Sequence, residues 1–265
     1  LTGPEIRSAR NSALLSWYED NARDLPWRRT TDPYLILVSE VMLQQTQVSR
    51  VIPKYERFTE SWPTVKALAA ASADDLLRVW SGLGYNSRAL RLQQTAAIVA
   101  AAGWPESVAG LQELPGIGPY TAAAVGSISF GMHVPAVDTN LKRVLSRWAG
   151  EPLSGRLLTE YAFDVLGDPA GDWNQALMDL GSSVCKTAHP TCNECPVSEW
   201  CLDPAVYEAP PSQSSFNGSN RQLRGALVRA HLAGDDLYEA ASALDRSEDE
   251  TESTIDSLHR EGLIR

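Results

Sequence analysis

Leu114-Pro115-Gly116-Ile117-Gly118-Pro119-Tyr120-Thr121-Ala122 sets two glycines around one apolar residue and then runs into a helix-forming series of alanines. A turn of this kind exposes successive backbone N–H groups at a helix start, where a phosphate binds without needing a side-chain cation. A dinucleotide fingerprint also begins Gly-x-Gly. It requires a preceding strand and a third glycine, however, and Thr121 stands in that glycine's place. The plainer alternative is a glycine-rich turn between two packed helices.

Working outward from the turn, apolar residues recur at helical spacing in 65–71, 76–80, 90–101 and 141–148, while strand alternation is scarce. Ser72 ahead of Asp74 and Asp75, and Asp32-Pro33 ahead of residues 34–43, punctuate helix starts. The first 205 residues therefore read as an all-α body. Sixteen residues after Thr121, Val137-Asp138-Thr139-Asn140 places a carboxylate in front of the helix at 141–148. That carboxylate is either a helix N-cap or a functional acid.

Cys185, Cys192, Cys195 and Cys201 follow the spacing C-x6-C-x2-C-x5-C, and the chain has no other cysteine. Without a secretion signal, clustered thiols read as metal ligands before they read as disulfides. Four sulfurs from one loop can hold tetrahedral zinc or an iron–sulfur cubane. Zinc sites usually pair two short Cys-x-x-Cys knuckles, and only one is present here.

The chain has 265 residues, 43% hydrophobic and 21% charged, enough to bury one large core or two moderate ones without a staple. No apolar run is long enough to cross a bilayer, and Arg7 and Arg10 open an amphipathic stretch instead of a signal peptide. A cytoplasmic, nucleoid-associated protein is expected. The net charge of −10 opposes a polyanionic partner, but its distribution softens the objection. Residues 1–205 hold 17 Lys/Arg against 22 Asp/Glu, and residues 206–265 hold 6 against 11, so the last quarter carries half of the excess.

Residues 208–220 include Pro210, Pro211, Gly218 and four serines and read as a linker. Helical periodicity returns at 221–232, 237–244 and 252–261, and Gly262-Leu263-Ile264 resembles the start of a short strand. The ending suggests a small winged-helix-like module.

The order of L-P-G-I-G-x-Y-T-A, V-D-T-N and the cysteine loop resembles the helix-hairpin-helix, endonuclease III superfamily of DNA glycosylases over residues 10–205. The resemblance implies a two-lobed all-α fold with a 4Fe-4S cluster held by Cys185, Cys192, Cys195 and Cys201. It divides the chain into a glycosylase domain at 1–207 with its cluster loop at 185–201, a linker at 208–220 and the module at 221–265. Gly116, Gly118 and Thr121 would meet a DNA phosphate. Bifunctional members carry a lysine that forms a Schiff base where this chain has Tyr120, and a phenol cannot form an imine. A monofunctional enzyme follows.

Leu25-Pro26-Trp27-Arg28, Pro33-Tyr34 and Ser39-Glu40-Val41-Met42-Leu43-Gln44-Gln45-Thr46-Gln47-Val48 resemble the adenine glycosylases, which act on adenine mispaired with guanine or 8-oxoguanine. Glu40 maps onto their acid, which protonates a base that leaves poorly as an anion. It lies in an otherwise apolar run beside Ser39, where an idle ionised carboxylate would be costly. Asp138 would stabilise the oxocarbenium-like sugar, with Tyr120 orienting that centre and Asn140 assisting the aspartate. Trp27, Arg28, Leu43 and Gln175 would line the pocket for an extruded base. By residue type alone Trp27 and Leu43 are ordinary packing residues. Gln45 and Tyr85 resemble the side chains that wedge into the base stack.

One departure matters. Adenine glycosylases usually continue into a Nudix-like domain, and the terminal fifty residues are too few for one; they resemble the shortened tail of actinobacterial relatives. The expected partner is double-stranded DNA with a mispaired adenine, bound by a monomer, with no membrane. The nearest rival is a thymine or uracil mismatch glycosylase, against which Gln44-Gln45 argues. A non-catalytic DNA-structure binder would not need both Glu40 and Asp138. A winged-helix regulator would present Glu252, Asp256 and Glu261 to phosphates.

Overall fold

The computed structural model of the chain describes residues 3–206 and 215–265. Among them the α-helices are α1 (Pro4–Asn21), α2 (Pro33–Leu43), α3 (Val48–Ser61), α4 (Val65–Ala69), α5 (Ala73–Trp80), α6 (Ser87–Ala102), α7 (Val108–Gln112), α8 (Pro119–Phe130), α9 (Thr139–Ala149), α10 (Gly155–Val165), α11 (Ala170–Ser183), α12 (Asn220–Ala233), α13 (Leu237–Ser242) and α14 (Glu248–Arg260). Single 3-10 turns lie at Pro26–Arg28, Cys192–Glu194 and Ser198–Trp200, and no strand occurs among the described residues. The all-α expectation holds. No helix is long and apolar enough to cross a membrane.

Local chemistry explains many of the boundaries. Ser72, Ser107, Asp138, Ser219, Asp236 and Ser247 each accept a backbone N–H of the helix they precede, occupying donors that have no intrahelical partner. Gly131, Gly150 and Gly234 close α8, α9 and α12 in the left-handed region, which glycine enters without a Cβ penalty.

The chain divides into two compact units. The first comprises the described parts of Leu1–Leu37, Pro105–Glu113 and Ile117–Pro210. At its centre α11 packs on α1, α8 and α9, burying Trp173, Leu177 and Leu180 with Leu14, Leu141, Val144 and Leu145. A Cβ at Gly171 would stand 2.9 Å from the Ser127 carbonyl oxygen, so glycine sets how closely α11 approaches α8. Buried Asn174 on α11 accepts the Ala136 N–H at 2.9 Å and donates to the Val134 carbonyl at 3.0 Å. This amide clamps the extended segment that leads to Asp138.

The second unit comprises the described parts of Val38–Trp104, Leu114–Gly116 and Pro211–Arg265. Its helices α3 to α6 bury Phe58, Leu68, Leu76 and Trp80, each contributing about 1.5–3 kcal/mol of transfer free energy. Helix α12 packs on α5, α13 and α14. The three terminal helices match their expected positions, whereas the strand after Gly262 does not form. Gly262 instead takes φ +71°, its N–H returns to the His259 carbonyl, and the Leu263 N–H returns to Leu258. This pair of bonds caps α14, and buried Leu258 and Leu263 supply the apolar contact that accompanies such caps. Residues 208–214 of the expected linker lie outside the described residues.

Candidate functional site

The segment Val134–Val137 ends at Asp138, and the carboxylate does two jobs at once. Its Oδ1 accepts the Leu141 N–H at 2.7 Å, which makes it the N-cap of α9. Its Oδ2 accepts from Asn140 Nδ2 at 3.0 Å. Burial pushes the Asp138 carboxyl above the usual range, opposed by these bonds and by the charge of Arg143. The cap reading and the acid reading are thus compatible in one side chain.

Asn140 is held in turn. Its Oδ1 accepts from Arg143 Nη2 at 2.8 Å, and Arg143 also donates to the carbonyls of Gly181 at 2.6 Å and Cys185 at 2.9 Å. A Cβ at Gly181 would come within 2.7 Å of the Asn140 Cβ, so the space for Asn140 exists because residue 181 is glycine. A continuous chain of hydrogen bonds therefore runs from Asp138 through Asn140 and Arg143 to the backbone of the first cysteine.

The four cysteines surround a cavity of about 90 Å³ that Trp148, Leu180 and Val184 also line. Arg147, one turn after Arg143 on α9, is 2% exposed and fastens this loop. Its guanidinium donates to the carbonyls of Val206, Lys186 and Thr187 at 3.1, 2.9 and 3.1 Å and to Cys185 Sγ at 3.1 Å.

Three of the four expected base-pocket residues, Trp27, Arg28 and Gln175, lie in the same unit. Trp27 is buried, in the 3-10 turn Pro26–Arg28. Arg28 places Nη2 and Nη1 2.9 and 3.2 Å from the two carboxylate oxygens of Asp179, which is 1% exposed, and Arg23 Nε bonds the same carboxylate at 2.7 Å. Tyr18 accepts from Arg28 and donates to Gln175 Oε1 at 3.4 Å. Tyr120, half-buried on α8, lies with its hydroxyl 3.9 Å from Met178 Sδ.

In the second unit Glu40 sits on α2 at 6% exposure, with Ser39 at 0% beside it and Leu43 half-buried at the helix end. Gln45 and Tyr85 are exposed and both have positive φ, +56° and +46°. Arg88 links them, donating to the carbonyls of Val41, Met42 and Gln44 on one side and of Leu83, Gly84 and Tyr85 on the other.

At the hairpin, Gly116 and Gly118 are exposed and Thr121 is 2% exposed, directed inward. Gly116 has φ +77°, and a Cβ there would press to 3.0 Å on Arg91, so glycine is required. Gly118 has an ordinary φ of −87° and open space where a Cβ would stand. Sequence reasoning gave no role to Tyr18, Arg88, Arg143, Arg147 or Asp179. For Asp179 the available signal was the one used for Glu40, an isolated charge in an apolar helical run, at 176–180; Arg147 shares 141–148 with Lys142 and Arg143 and carries no such mark.

Residues 38–164 match the model of the HhH-GPD superfamily base excision DNA repair protein. The chain is 40% identical over 248 residues to the adenine DNA glycosylase of Mycobacterium tuberculosis, covering 86% of this chain and 79% of that one. It is 44% identical over 216 residues to the adenine DNA glycosylase of Homo sapiens, covering 74% of this chain but 39% of that one. It thus spans about two-fifths of the human relative's length. Among solved structures a thermostable thymine-DNA glycosylase superposes with a TM-score of 0.69 at 30% identity, covering 75% of this chain and 96% of that one. The chain belongs to the HhH-GPD superfamily of base excision DNA repair proteins, in its adenine DNA glycosylase branch.

Proposed function

We propose that this protein is a monofunctional DNA glycosylase that removes adenine mispaired with 8-oxoguanine or guanine from duplex DNA. The observation that carries the reading is Glu40, a carboxyl kept at 6% exposure on a helix whose other residues are almost all apolar. Such a group is suited to deliver a proton to a ring nitrogen of an extruded adenine, so that the base departs neutral when its bond to the sugar breaks. Asp138 then faces the oxocarbenium-like sugar. For that task it must be ionised, and the bonds from Leu141 and Asn140 with the nearby Arg143 charge counter the burial that favours its protonated form. Water completes the hydrolysis at the anomeric carbon, leaving an abasic site. Tyr120 orients this centre and cannot form the imine needed for strand cleavage.

The cysteine loop fits a 4Fe-4S cluster. Its four thiols surround a cavity of about 90 Å³ whose other lining includes the apolar side chains of Trp148, Leu180 and Val184, a sulfur donor set of the kind that holds iron–sulfur clusters. The cluster would be held by Cys185, Cys192, Cys195 and Cys201 and would supply a structural brace; Arg147 and Arg143 orient the loop that carries it.

The reading is tested with duplexes containing A·8-oxoguanine, A·G, T·G and U·G, followed by alkaline cleavage of abasic sites. Release of adenine from the first two alone is expected, with no borohydride-trapped protein–DNA adduct. Release of thymine or uracil instead would transfer the chain to the activity named for its structural neighbour, and a trapped adduct would end the monofunctional assignment.

A further inference from the structure

Gln45 and Tyr85 lie forty residues apart and share a backbone oddity: both are non-glycine residues in the left-handed region, at φ +56° and +46°. Side chains other than Gly, Asn and Asp rarely stay there, because Cβ crowds the following carbonyl, and such strain persists only where the surroundings enforce it. Here one guanidinium enforces both. Arg88, 9% exposed, donates through Nη1 to Val41 at 2.6 Å and Gln44 at 2.7 Å, and through Nη2 to Leu83 at 3.2 Å and Gly84 at 3.0 Å. Its Nε reaches the Tyr85 carbonyl at 3.4 Å.

The carbonyls of Val41 and Met42 belong to the last turn of α2, where no intrahelical donor remains, so Arg88 also serves as the C-terminal cap of that helix. Thr46 adds a smaller brace. Its hydroxyl lies 3.3 Å from the Gln44 carbonyl and 3.5 Å from the Leu83 carbonyl, and Arg88 Nη2 points to it at 3.5 Å. Burial lowers the pKa of the guanidinium to about 10, which leaves it charged at neutral pH and its bonds charge-assisted.

We propose that Arg88 is a positioning residue that locks the 44–47 and 82–86 turns together, so that Gln45 and Tyr85 are presented to the DNA stack as one preformed pair of prongs. The proposal rests on the reading of those two side chains as a wedge. A lysine cannot replace this fork: it is a single ammonium with three donors, whereas the planar guanidinium here engages six carbonyls on two segments.

The test measures single-turnover adenine release by the full-length protein from an A·8-oxoguanine duplex and from the same strand with the adenine opposite an abasic analogue, where less unstacking is needed. 2-Aminopurine fluorescence at the target reports extrusion. Arg88→Lys is expected to slow release from the paired duplex by about ten- to a hundredfold, with a matching loss of the extrusion signal. The deficit should shrink opposite the abasic analogue. In the Gln45→Ala/Tyr85→Ala background Arg88→Lys should add almost nothing, which a purely structural role would not produce. If that background is slow and Arg88→Lys slows it further by its full factor, the wedge stands and Arg88's assignment falls. If the background releases adenine at the parent rate, the wedge reading falls and takes the proposal with it. Thr46→Val, a milder cut of the same brace, repeats the comparison and decides it should Arg88→Lys fail to fold.

Discussion

Arg147→Met would remove the fastening of the cysteine loop while keeping an apolar stem of similar length. Four bonds are lost at once: to the carbonyls of Lys186, Thr187 and Val206, and to Cys185 Sγ. A buried carbonyl left without a donor costs about 1–3 kcal/mol, but residue 186 is exposed and water can re-solvate part of this set. Three carbonyls at that cost, less the re-solvated part, put the net loss at about 3–5 kcal/mol, against a total stability of about 5–15 kcal/mol for a domain. Urea unfolding of purified protein should show a clearly lower midpoint, and iron content per chain, read with the visible absorption of thiolate-bound iron, should fall on gel filtration. Arg147→Lys, which keeps the charge but not the fork, should lie between the two. An Arg147→Met protein with the parent midpoint and a full iron complement would refute the claim that this guanidinium holds the loop.

Glu40→Gln should preserve folding and duplex binding while lowering adenine release by about a hundredfold or more, since a positioned acid contributes about 10²–10⁴; retained release in a single-turnover assay removes Glu40 from the mechanism. Asp138 carries a pKa raised in the folded protein, so the native state keeps its proton to higher pH than the unfolded chain. Its burden on stability is therefore full above the folded pKa and relieved as pH falls towards the ordinary carboxylate value. Asp138→Asn should accordingly melt above the parent near neutral pH, with the gap closing on acidification; a gap that widens would contradict the sign. Asp179→Ala leaves Arg28, itself only 11% exposed in its side chain, without its carboxylate, and should cost about 3–5 kcal/mol by denaturant unfolding. Asp179→Asn, which retains an acceptor, should cost less.

The residues legible in the sequence were those whose meaning is local or carried by motif order. Helix positions followed from apolar spacing and capping side chains, Gly116 from a turn that demands positive φ, and the cysteine loop from spacing within seventeen residues. The strand expected after Gly262 does not form: no partner strand for Leu263 and Ile264 occurs among the described residues, while the end of α14 offers their backbone and side chains an immediate cap. Asp138 could be read as cap or acid, and the fold lets it be the first without excluding the second.

What the sequence by itself determined is the helical body, the order of hairpin, aspartate and cysteines, and the absence of a lysine at position 120. Only the tertiary structure decided which charges are structural fasteners. Arg23 meets Asp179 across 156 positions, Arg88 meets Val41 across 47, and Arg147 meets Val206 across 59. No periodicity records such pairs, because a buried cation is tolerated wherever folding happens to bring unsatisfied acceptors to it, and those acceptors are mostly backbone carbonyls that every residue possesses.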